Sequence, residues 1–72
     1  MQDVIINREP VELYKVLKFE GLVATGGEAK MVISEGMVTV NGSIEMRKRC
    51  KLMEGDVIGF NGDEMRLVVE KT

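Results

Sequence analysis

The sequence predicts an α+β fold: a small single domain in which a short N-terminal strand precedes two packed helices followed by antiparallel β-hairpins. Three observations carry this expectation. Two apolar stripes recur at helical spacing, Leu13-Val16-Leu17 and Ala29-Val32-Ile33. Two turn signals, Asn41-Gly42 and Asn61-Gly62-Asp63, sit between short apolar runs, as hairpin turns require. The order is strand, helix, helix, then several strands, as in a compact α+β domain.

Val4-Ile5-Ile6 reads as a strand ended by the polar stretch Asn7-Arg8-Glu9. Pro10 suits a first helical position, where its missing N–H would have no partner in any case, and the spacing predicts a helix over Val11 to Lys18 that stops at Gly21. Thr25-Gly26-Gly27-Glu28 is a capping box, with the Thr25 hydroxyl accepting from a backbone N–H and Glu28 reaching back. It opens a second helix of barely three turns, which Gly36 ends. Met37 to Val40 then forms a strand, Asn41-Gly42 a tight turn, and Ser43-Ile44-Glu45 the returning strand. After a turn at Glu54-Gly55-Asp56, Val57 to Phe60 and Met65 to Val69 make a second hairpin. Leu13, Leu17, Val32 and Ile33 should pack on a sheet containing Val38, Val40 and Val57. Phe19, Phe60, Cys50 and the six methionines are expected in the core.

Composition bounds the function. With 72 residues, 44% hydrophobic and 31% charged, the chain suits one globular domain with a modest core, expected to be monomeric. No apolar run is long enough for a membrane span and the start lacks a basic signal segment, so no membrane partner and a cytoplasmic location are expected. One cysteine and no histidine leave no internal disulfide and no zinc set. Without histidine, and with no activated Ser or Cys nucleophile, no catalytic residues, cofactor or metal are expected.

Net charge is only −2, but its distribution is uneven. Arg47-Lys48-Arg49-Cys50-Lys51 holds four of the ten basic residues, leaving six against twelve acidic residues elsewhere. The run is either a local anion-binding patch or a solvated strand edge. Read as an extended strand, it projects Arg47 and Arg49 from one face and Lys48 and Cys50 from the other. Lys15 and Lys18 share the outer face of the first helix. Thr25-Gly26-Gly27 either offers backbone N–H groups to a phosphate or simply caps its helix. Tyr14 is either a base-stacking or a helix-packing residue. Gly59-Phe60-Asn61-Gly62 has the literal GxxG form of a nucleic-acid clamp but stands between strands rather than helices. With only three aromatic residues, recognition of RNA would rest on phosphates, 2′-hydroxyls and shape.

In order, Leu13-Tyr14-Lys15-Val16-Leu17-Lys18, Gly21-Leu22, Glu28-Ala29-Lys30, Ile33, Gly36-Met37-Val38-Thr39-Val40-Asn41-Gly42 and Gly55-Asp56-Val57-Ile58 resemble the RNA-binding domain of the S-four ribosomal protein family, the alpha-L motif. The resemblance covers about residues 11 to 60. Thr25-Gly26-Gly27-Glu28-Ala29-Lys30 together with Arg47-Lys48-Arg49-Cys50-Lys51 is similar to the free-standing bacterial YbcJ-type members. The resemblance implies an RNA surface across both helices and the hairpin: Lys15, Lys18, Thr25, Gly26, Gly27, Lys30, Asn41, Arg47, Lys48, Arg49 and Lys51. Glu12 stands where many members carry arginine, and Gly26-Gly27 where they carry Arg-Ser, which shifts weight to the basic run. Arg66 and Lys71 lie outside the matched surface. The function so implied is noncatalytic binding of structured RNA, of the ribosomal RNA, ribosome-precursor or transfer RNA class, with the ribosome or its precursors as partner. The alternative is a protein–protein interaction module whose basic edge docks an acidic partner.

Overall fold

A computed structural model describes residues 2–70. In chain order it contains β1 (Gln2–Ile6), β2 (Val11–Glu12), α1 (Leu13–Phe19), α2 (Gly26–Ser34), β3 (Val38–Val40), β4 (Ser43–Ile44), β5 (Lys51–Leu52), β6 (Val57–Phe60) and β7 (Asp63–Val69). Five strands form a mixed sheet in the order β1-β7-β6-β3-β4, and β2 pairs with β5 in a separate two-stranded ribbon. The predicted α+β class, with a leading strand, two helices and following hairpins, is what the molecule adopts. No described helix is long and apolar enough to cross a membrane.

Both turns form at Asn-Gly, and the second is one residue shorter than expected because Asp63 already belongs to β7. Asn41 and Gly42 have φ of 53° and 85°, Asn61 and Gly62 of 54° and 86°, the positive pair that a type I′ turn demands. These turns set the β3–β4 and β6–β7 registers, so Thr39 faces Ile44 and Phe60 faces Asp63. The helix α2 cap also forms: Thr25 Oγ1 accepts from the Glu28 N–H at 3.1 Å, while Glu28 Oε1 accepts from the Ala24 N–H at 2.8 Å. Leu13, Val16 and Leu17 of α1 and Ala29, Val32 and Ile33 of α2 merge into one core with Val4, Val38, Leu52, Ile58, Met65 and Leu67. Alternation along β1 buries Val4 and Ile6 and leaves Ile5 outside. The strand lies parallel to β7, with Val4 opposite Leu67.

Five expectations are corrected. Pro10 is not a first helical residue: it follows a cis bond from Glu9, and α1 starts at Leu13 because Val11 and Glu12 are held extended against Leu52 and Lys51. The basic run is not a strand. Cys50 N–H returns to the Arg47 carbonyl at 3.2 Å in a turn, and only Lys51 enters β5. Phe19 is 68% exposed, since its position on α1 falls outside the 13-16-17 stripe. Of the described methionines Met65 alone is buried; Met31, Met37, Met46 and Met53 occupy an outer helix position or loops and face solvent. Pleat parity sends Ile58, not Val57, into the core. Phe60, Val40 and Cys50 do pack against the core, each partly buried.

Candidate nucleic-acid interface

Helix α1 begins with no side-chain cap, because Glu12 at its N-cap makes no such bond. The first N–H groups of a helix still need acceptors. Here the basic loop supplies them: Leu13 N–H donates to the Cys50 carbonyl at 2.9 Å and Tyr14 N–H to the Lys48 carbonyl at 3.2 Å. With the β2–β5 pairing, these main-chain bonds fix residues 48–52 against the start of α1. The carbonyls point inward to the helix, and the side chains of Arg47, Lys48, Arg49 and Lys51 are exposed. A cleft of about 530 Å³ is lined by Arg47, Arg49, Cys50 and Lys51.

Tyr14 joins this loop to α2. Its ring lies beside Gly26 at the α2 N-terminus, where a side chain would meet the ring carbons at van der Waals distance. Lys30 Nζ stands 4.8 Å and Lys15 Nζ 5.9 Å from the ring centroid, within reach of cation–π attraction. Tyr14 therefore serves as a packing residue between the helices and orients two lysines. Lys18 is exposed one turn beyond Lys15 on α1. The structure thus gathers Lys15, Gly26 and Lys30 around Tyr14 and docks the loop carrying Arg47, Lys48, Arg49 and Lys51 on the start of α1, with Gly27 following Gly26 in α2.

Among the predicted site residues, Thr25 and Asn41 have side chains engaged in hydrogen bonds to neighbouring segments of the fold. The Thr25 hydroxyl accepts from Glu28 in the cap. Asn41 Nδ2 donates to Asp56 Oδ1 at 3.1 Å and Asn41 Oδ1 accepts from the Val57 N–H at 2.9 Å, fastening the hairpin tip to the 54–57 segment. No hydrogen bond or ion pair links Asn41 to the cluster around Tyr14 among the described residues. Arg66, outside the cluster, pairs with Asp3 at 3.3 Å; Lys71 lies outside the described residues.

Two carboxylates were not among the predicted site residues. Glu12 sits inside the cation cluster, 3.2 Å from Lys15 Nζ and 3.8 Å from Arg49 Nε, with Lys51 as its cross-strand neighbour. Glu45 grips Arg47 with both oxygens, Nε to Oε2 at 2.9 Å and Nη2 to Oε1 at 3.0 Å, and also accepts the Arg47 backbone N–H. The Arg47 guanidinium lowers the Glu45 carboxyl from its usual 4.5 to about 2. Because the folded value is depressed, the pair is intact above the usual carboxylate range and is lost as pH falls through about 2. Burial pushes the Cys50 thiol up, so at neutral pH it stays protonated and behaves as a packing group. Glu45, two residues before Arg47, was the available sequence signal for this clamp; the Glu12–Arg49 pair spans the fold and had none.

The arrangement can hold an anionic chain along α1, the α2 N-terminus and the basic loop, with two carboxylates tempering its charge. Known proteins are similar to this chain in sequence and fold. The S4 domain model matches residues 4–68. YbcJ of Escherichia coli K12 is 45% identical over 58 residues, covering 81% of this chain and 83% of YbcJ. The solution structure of YbcJ, described as revealing an alpha-L motif involved in RNA binding, superimposes with a TM-score of 0.73 at 40% identity, covering 96% of this chain and 89% of that one. RlbA of Bacillus subtilis 168, named a probable ribosome maturation protein, is 36% identical over 59 residues, 82% of this chain and 83% of RlbA. The 30S ribosomal protein S4e of Thermoplasma acidophilum matches with a TM-score of 0.69 at 26% identity, covering 83% of this chain and 32% of S4e. On its matched length and on its likeness to YbcJ in sequence and structure, this chain belongs to the S4 domain family.

Proposed function

We propose that this protein is a noncatalytic binder of structured RNA, of the ribosomal, ribosome-precursor or transfer RNA class, acting through the face built by α1, the α2 N-terminus and the 47–51 loop. The observation that carries this reading is the docking of the loop on α1. Main-chain bonds to Leu13 and Tyr14 hold four basic residues beside Lys15 and Lys30. Such a fixed cation array costs little to order when a phosphate backbone arrives. The description of the YbcJ motif as involved in RNA binding, and the name of RlbA, support the class.

The face has one partly buried aromatic residue, so shape, phosphates and 2′-hydroxyls carry recognition rather than extensive stacking. A folded RNA hairpin is therefore expected to bind more tightly than a DNA duplex of matched sequence in gel-shift titrations at one fixed salt concentration. Equal affinities would reduce the interaction to generic charge attraction and return weight to an acidic protein partner.

Glu12 opposes this binding, because its carboxylate occupies Lys15 and Arg49 and repels phosphate. Glu12→Gln keeps the shape and removes the charge. Exposed ion pairs are worth about 0.2–1 kcal/mol, so RNA affinity should rise by about 1.4- to fivefold. A fall in affinity would show that Glu12 positions the cations instead of competing for them.

A further inference from the structure

We propose that the cleft between β1, the 7–12 segment and α1 receives an unpaired nucleotide of the bound RNA, its base stacked on Phe19. This rests on the RNA-binding reading above and deepens it. The cleft has a volume of about 660 Å³, within the range of about 300–1,000 Å³ usual for small-ligand sites. Phe19, Ile5 and Pro10 supply its apolar lining, and Arg8 and Lys15 its cations. Phe19 and Ile5 are 68% and 60% exposed, although the chain has only three aromatic residues to spend on a small core.

The cleft is continuous with the proposed interface. Lys15 lines it and also belongs to the cluster around Tyr14. Phe19 lies four residues after Lys15 on the same helix and directly after Lys18, so a strand touching both lysines passes beside the ring. Charge selects the occupant further. Arg8 makes no ion pair among the described residues, but the cleft also holds Glu12 and Glu70, which leave it close to neutral. Near-neutral, aromatic and apolar walls suit an uncharged base better than a bare phosphate or an acidic peptide. The Asn7 side chain can both donate to and accept from a base edge. A base stacked on an aromatic ring is sequence-tolerant, whereas a paired base is not free to enter.

The test compares a fully paired RNA duplex with the same duplex carrying a single-nucleotide bulge. Wild-type protein should prefer the bulged RNA. Phe19→Ala should weaken that binding by about five- to tenfold and leave the paired duplex unchanged, given the usual strength of base–aromatic stacking. Phe19→Trp should retain the preference, with its fluorescence quenched by the bulged RNA only. Phe19 is exposed, so both variants should fold. If wild-type protein binds RNA while Phe19→Ala weakens both RNAs equally or neither, the cleft is not a nucleotide site. Failure of wild-type protein to bind either RNA overturns the RNA-binding reading itself, and this inference with it.

Discussion

Replacing Leu13 with alanine is expected to destabilise the protein by about 2–5 kcal/mol, the range for emptying a fully buried leucine site. Leu13 has no solvent exposure, and its own N–H donates to the Cys50 carbonyl. The cavity therefore opens where the core supports the basic loop. A domain of this size buries only about 60% of its unfolded surface, and domain stabilities are about 5–15 kcal/mol. A loss of this size would leave much of the variant unfolded at modest denaturant. Phe19→Ala, a larger truncation at an exposed site, should stay within about 0.5 kcal/mol of wild type. Urea titrations followed by circular dichroism measure both. Similar midpoints for Leu13→Ala and wild type would mean that α1 does not anchor the core as described.

What the sequence made legible was local. The α2 cap, the two Asn-Gly turns and the apolar stripes depend on residues within a few positions of one another, and each formed. Nothing local announces that Val4 will lie beside Leu67, or that Val11 and Glu12 will pair with Leu52 and Lys51. The second pairing accounts for two corrections together. It keeps Val11 and Glu12 extended, delaying α1 to Leu13, and it brings the basic run to the helix start, where its carbonyls serve as caps and its backbone turns. Residue type singled out the cations that the fold gathers near Tyr14 and Glu12, but their partners came from the fold. Glu12 reaches Arg49 only because β2 meets β5, and Tyr14 reaches Lys30 only because α1 packs on α2. Phe19 was misplaced because its hydrophobicity outweighed its position on the helix, which puts it outside the buried stripe.

The turn in the basic run changes how Arg47 and Arg49 work without removing them from the surface. Their side chains remain 77% and 72% exposed while paired with Glu45 and Glu12. Both pairs are open to solvent, so each guanidinium can exchange its carboxylate for phosphate oxygens, which it can grip with two bonds. In RNA binding these arginines would trade a carboxylate for a phosphate. Removing them also uncovers Glu45 and Glu12, so a loss of affinity alone mixes a missing contact with added repulsion.

The salt dependence of RNA binding by the Arg47→Ala/Arg49→Ala variant is therefore the most direct test that the 47–51 loop on α1 is the RNA-binding face. Fluorescence anisotropy titrations of a folded RNA hairpin, repeated across a salt series, give the slope of log affinity against log salt for wild type, for this variant and for Arg66→Ala, whose side chain pairs with Asp3 outside the cluster. Circular dichroism establishes first that all three are folded. The double variant is expected to bind about tenfold or more weakly and to flatten the slope by about 1.4–1.8, from about 0.7–0.9 per phosphate contact, while Arg66→Ala keeps the wild-type slope. Indistinguishable slopes and affinities for the double variant and Arg66→Ala would contradict the assignment of RNA binding to this face.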